Sequence, residues 1–304
     1  MFSARLGSRY ALGVPADPPA AGVDQQQLGE PSRARGAAAW KPWTVGLAFI
    51  GILGLVLTGR AIVGTRSGDG EGSLLAIGIA LILLELAPIG LVLLLAYKQG
   101  RPTAADFGLR RPPLGRSIGL AVAFWIGLTA VTILWVAALG LDDDEGQALT
   151  ERLGTEGTLT VVILIAVVTI LAPVEEEFLF RGYIFRTLRN WRGVWPAAIA
   201  TGGLFAATHI GWLPIAFMVP ILLIGIGLCL LYHWTGSLYP GIALHAFNNS
   251  IPLGTALNWS WQIPVLIVGS TLAALTIAWL LALLLGDRSP RSGEERREAV
   301  TVRA

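Results

Sequence analysis

Charge is scarce in this sequence. Only 14% of its 304 residues are Asp, Glu, Lys or Arg, while 54% are hydrophobic, and a soluble chain usually carries about a quarter charged residues. With a mean hydropathy of +0.65, that deficit excludes an ordinary water-exposed surface and makes lipid the solvent. Cysteine is almost absent. Cys229 stands alone, which excludes an intrachain disulfide and a Cys-rich metal site; lying in an apolar run, it reads as a small core residue. The net charge of +2 is small and scattered, which excludes a basic groove, so nucleic acid is not an expected partner. No internal repeat of the transporter kind is visible.

What is abundant is long apolar runs. A bilayer-crossing helix needs about 20 mostly apolar residues, and eight stretches meet that need: 43–64, 73–97, 117–140, 158–180, 195–212, 214–234, 238–256 and 262–285. The fold class expected is all-α, a polytopic membrane bundle of about eight transmembrane helices. Residues 1–42 are polar and aperiodic and read as a disordered cytoplasmic tail. Residues 43–157 are expected to form an N-terminal region of three spans, 158–256 a compact core of four, 257–286 a last helix and 287–304 a second cytoplasmic tail. Arginine and lysine collect in the first tail, after span two, after span four and in the last tail, whereas "LDDDEGQ" from Leu141 falls on the other side. Both termini are therefore expected in the cytoplasm, in a bacterial plasma membrane. Trp40, Trp43, Trp191, Trp195, Trp234 and Trp259 suit interfacial anchors, and Gly202, Gly203, Gly225 and Gly227 suit close helix approach.

The polar residues that lipid should reject are few: Glu85, the triplet Glu175, Glu176 and Glu177 with Arg181, then His209, His245, Asn248 and Asn249, with His233 at a span end. An intramembrane charge costs ~2.5 to 3.5 kcal/mol even on lenient scales, so each needs a partner or a task. Glu177 and Arg181 are four apart and share a helix face, as do Phe205 and His209, and His245 and Asn249. A carboxylate beside an imidazole can hold a water and take its proton. A second imidazole and an amide can donate to the oxyanion formed when that water attacks a carbonyl. That set suits peptide-bond hydrolysis without a covalent intermediate. Glu175 is expected near the site mouth or paired with a loop arginine, Glu85 bonded to backbone freed by Pro88, and His233 at the interface.

These motifs, Glu176-Glu177 with Arg181, Phe205 with His209 and His245 with Asn249, resemble those of the CPBP intramembrane proteases. That family includes the CAAX prenyl endopeptidases of Ras-converting type and the bacterial Abi proteins. The resemblance spans about 100 residues, from near Leu159 to Pro252. It implies that Glu176 and His209 activate water, that His245 and Asn249 form the oxyanion site, and that Glu177, Arg181 and Phe205 support them structurally. It implies a membrane-associated protein or peptide substrate, CAAX-type prenylated in the family's best-known case, within the lipid bilayer. Family members are described both as metalloproteases and as metal-independent glutamate proteases. No HExxH is present, so no obligatory cofactor is expected and no metal ligand is assigned; if the reaction uses zinc, Glu176, His209 and His245 are its ligands. Two other readings fit the polar core: a non-catalytic scaffold or immunity protein, and a proton-coupled transporter.

Overall fold

The computed structural model describes residues 40–64, 71–140 and 157–286. Residues 1–39, which hold nearly all of the expected tail, the acidic loop from Leu141, and the last tail lie outside the described residues. The elements in order are α1 (Trp43–Gly64), α2 (Glu71–Tyr97), a short α3 (Ala104–Phe107) and α4 (Leu114–Leu139). Then come α5 (Thr158–Arg192), α6 (Val194–His209), α7 (Met218–Thr235), α8 (Tyr239–Ala256) and α9 (Gln262–Leu285). No strand is present among the described residues. The protein is an all-helical polytopic membrane protein.

Each of the eight expected spans is a helix, and the departures have local causes. The fourth runs on from residue 180 to Arg192 because nothing in "RGYIFRTLRN" breaks a helix before Gly193, whose φ is +86°. The fifth stops at His209 rather than 212 because Gly211 turns with a φ of +83°. Six of the helices are long and apolar enough to cross a membrane on their own. Of the eight expected spans the two that are not, α6 and α8, carry His209, His245 and Asn249. At 16 residues α6 reaches ~24 Å, short of the ~30 Å hydrocarbon core, and α8 carries adjacent Asn248, Asn249 and Ser250.

Helix α5 is not uniform. Residues Ile165–Leu171 and Glu177–Phe185 are π-helical, and the α-helical turn Ala172–Glu176 between them begins with Pro173 near its N-terminus. A π-segment adds one residue to each turn of the backbone ladder and turns successive side chains to new directions, which is why such segments gather at functional sites. Here they flank the Glu triplet.

Around α5 the packing is close. Added methyl groups at Gly202 would meet Leu222 O at 2.9 Å, and at Gly225 the Cα of Gly202 at 2.8 Å, so α6 and α7 touch backbone to backbone there. Gly227 lets Leu128 of α4 approach, whereas Gly203 faces open space and plays no such part. Trp40 is a second departure: it is buried, with its ring centroid 4.9 Å from Phe107 and 4.7 Å from Tyr183, and is no interfacial anchor. The short α3 was not legible as a span, but Thr103 and Asp106 form its capping box. It is tied to the end of α5 by Arg186, which donates to Ala105 O at 3.1 Å and lies 3.6 Å from Asp106.

Candidate active site

Glu177 and Arg181 are both fully buried, and Arg181 Nη1 lies 2.9 Å from Glu177 Oε1. Burying either charge alone would cost several kcal/mol, so the pair enters the core as a unit. Arg181 also donates through Nη2 to Gly225 O at 3.1 Å, and its guanidinium carbon sits 4.6 Å from the ring centroid of Phe205. Phe205 is the hub of the site. Its ring meets Phe180 edge-on at 5.2 Å and lies 4.8 Å from the ring of His209 and 6.0 Å from that of His245.

His245 stands between two glutamates of α5. Its Nδ1 is 3.2 Å from Glu177 Oε1, within hydrogen-bond reach, and its Nε2 is 3.4 Å from Glu176 Oε2, a looser contact. Four side chains thus form a line from Arg181 through Glu177 and His245 to Glu176. Glu177 was expected to hold only Arg181; its contact with a histidine 68 residues away leaves no mark in local spacing. Of the triplet, Glu176 alone keeps appreciable exposure, 19% of its side chain. Glu177 has none, and Glu175 is 6% exposed with Oε1 buried and unpartnered. The expected exposed or arginine-paired Glu175 is therefore corrected: its helix face turns inward, toward α2, where Glu85 lies close enough for electrostatic interaction with both Glu175 and Glu176. Glu85 forms no hydrogen bond among the described residues, so it does not cap backbone near Pro88.

His209 ends α6. Its Nδ1 is 2.9 Å from Phe205 O. A carbonyl only accepts, so Nδ1 carries the hydrogen and, in the neutral ring, Nε2 keeps a free lone pair. That is the nitrogen a water could give a proton to. No hydrogen bond or ion pair joins His209 to Glu176 among the described residues; Phe205, packed against the rings of both His209 and His245, relates the two ends of the site.

Asn249 donates from Nδ2 to Val168 O at 3.0 Å, so one of its two N–H groups is committed to α5 and the other is free for a ligand. Glu176, His209 and His245 do not gather as metal ligands, nor do any three His, Cys, Asp or Glu side chains among the described residues. Both nitrogens of His245 face carboxylates instead. The lone Cys229 is buried, as expected of a core residue, and His233 is partly buried at the end of α7.

Gly241, one turn before His245, completes the site. A methyl group there would lie 2.7 Å from Glu177 Oε2. Alanine ordinarily stabilises a helix by ~1 kcal/mol over glycine, whereas forcing atoms into a packed core costs ~1 to 3 kcal/mol. Crowding of a buried, paired carboxylate should win. Gly241→Ala is expected to lower the unfolding temperature, and a rise would show that Glu177 can move freely.

Residues 158–251 match the family described as Type II CAAX prenyl endopeptidase Rce1-like. An uncharacterised 24.3 kDa protein of Escherichia coli is 27% identical over 139 residues, 44% of this chain. The chain spans 64% of that relative's length. No solved structure matches. The matched segment starts at the first residue of α5 and ends within α8, enclosing Glu176, His209, His245 and Asn249, and over that segment the chain is similar to the type II CAAX prenyl endopeptidase, Rce1-like, family.

Proposed function

We infer that the protein is an intramembrane endopeptidase that hydrolyses a peptide bond of a membrane-associated substrate with water activated by Glu176 and His209. The observation that carries this reading is the unequal burial of the adjacent glutamates. Glu177 is locked under Arg181 and His245, while Glu176, partly exposed, faces the same histidine. One carboxylate builds the site and the other meets the solvent.

Water held between Glu176 and the free Nε2 of His209 gives up a proton as its oxygen bonds to the substrate carbonyl carbon. The negative charge then moves to the carbonyl oxygen. If Glu176 takes that proton, it loses its charge and with it much of its hold on His245 Nε2. A hydrogen on Nε2 can then turn to the oxyanion, joined by the uncommitted N–H of Asn249. Transfer of the proton from Glu176 to the amide nitrogen releases the amine as the C–N bond breaks. No step requires a metal ion; were zinc bound, Glu176, His209 and His245 would have to leave their present partners to hold it. A prenylated CAAX protein is the substrate class the family suggests.

The test compares newly exposed peptide termini in membranes containing the wild-type protein or Glu176→Gln at equal abundance. Peptides cleaved only by the wild type would identify the substrate; identical profiles across candidate membranes, with purified protein inert on CAAX peptides, would favour a scaffold.

From the basic segments we infer that both termini face the cytoplasm, and substrate access is then expected from that leaflet. Cys229 is buried, which leaves single added cysteines readable. One placed within 141–147 should react with an impermeant thiol reagent outside the cell, and one within 189–192 only after the membrane is opened. The reverse labelling would invert the topology.

A further inference from the structure

The π-helical ladder of α5 has a missing rung. Ala172 N–H bonds to Val167 O, five residues back, and the next bond in that register would run from residue 173 to Val168 O. Residue 173 is proline, which has no N–H. Val168 O instead accepts Asn249 Nδ2 of α8 at 3.0 Å. We propose that the Asn249 amide serves as a stand-in for the backbone N–H that Pro173 lacks, and that Asn249 is thereby a positioning residue which sets the turn carrying Glu175 and Glu176.

The physical need is plain. A carbonyl left without a donor inside a membrane protein has no water to turn to, so an outside donor must fill the place. Pro173 lies three residues before Glu176, within the single α-helical turn Ala172–Glu176 that separates the two π-segments. Whatever holds Val168 O therefore holds the start of that turn. The same helix α8 grips its other end through His245, which touches both Glu176 and Glu177. His245 and Asn249, four residues apart, thus fasten α5 at two levels, at the Glu triplet and before it.

The inference stands apart from the proteolytic reading because it is read first from stability. Asn249→Ala should lower the unfolding temperature of the full chain in detergent by about 2 to 4 °C. In a Pro173→Ala background, where a backbone N–H is restored, the same change should cost little further. Where a cleavage assay is in hand, the loss of kcat caused by Asn249→Ala should likewise shrink in that background, since the added backbone donor re-seats Glu176. An undiminished loss of stability in the Pro173→Ala background would overturn the proposal, because the amide would then be giving its hydrogen elsewhere. If Asn249→Ala alone fails to accumulate, accumulation becomes the readout: recovery in the double variant supports the stand-in and continued absence overturns it. Recovered stability with unrecovered kcat would overturn the positioning role and leave Asn249 acting on the substrate itself.

Discussion

Glu176→Gln and His209→Ala are each expected to abolish cleavage while the protein accumulates and unfolds normally. Glutamine keeps the shape of Glu176 and can still face His245 Nε2, but it cannot take a proton from water. Loss of a positioned base costs ~10²- to 10⁴-fold in rate. His209 lies at the very end of α6, its ring bonded among the described residues to its own helix through Phe205 O and Thr208, so its removal orphans no other described buried group. The measurement is cleavage of a membrane-embedded peptide by purified variants, with thermal unfolding alongside. Wild-type turnover in either variant would sink the assignment of that residue. Glu175→Gln is the internal control: it also removes a carboxylate from the triplet, but a buried one, and cleavage should survive.

How far the sequence leads can be judged from these same residues. Apolar length marks where helices lie, so α1 and α9 have the bounds expected, 43–64 and 262–285. Spacing by four correctly pairs Glu177 with Arg181, because that contact lies within one helix. Contacts between helices follow no such period. Nothing in "HAFNN" indicates that His245 reaches two glutamates, or that Asn249 reaches a backbone carbonyl beside Pro173. The π-segments are hidden for a related reason: a sequence read at 3.6 residues per turn carries no sign of turns widened to five-residue bonds, and so none of how Glu175 comes to be buried. Trp40 misled because an aromatic residue just before a span has the same local signature whether it meets lipid headgroups or, as here, Phe107 and Tyr183. The ordered motifs reveal which helices share a site. Which atom meets which is decided by packing.

The largest loss of stability should come from Arg181→Met. It removes the guanidinium paired with fully buried Glu177, and breaking a buried pair from one side costs ~3 to 5 kcal/mol because the remaining charge has no water to return to. It also removes the donor to Gly225 O and the cation resting on Phe205, so the contact between α5 and α7 loosens with it. Glu177→Gln alone should be damaging in the opposite sense, leaving the guanidinium uncompensated. The double variant, Arg181→Met with Glu177→Gln, removes both charges of the pair, and its amide oxygen can still accept from His245 Nδ1. It should therefore be more stable than Arg181→Met alone, although a favourable pair has been lost, since what destabilises most is the orphan and not the absence of the bridge. Thermal unfolding of the three variants in detergent decides this. Strictly additive losses would mean that Glu177 and Arg181 act independently, and the line from Arg181 through Glu177 and His245 to Glu176 would then not be one electrostatic unit.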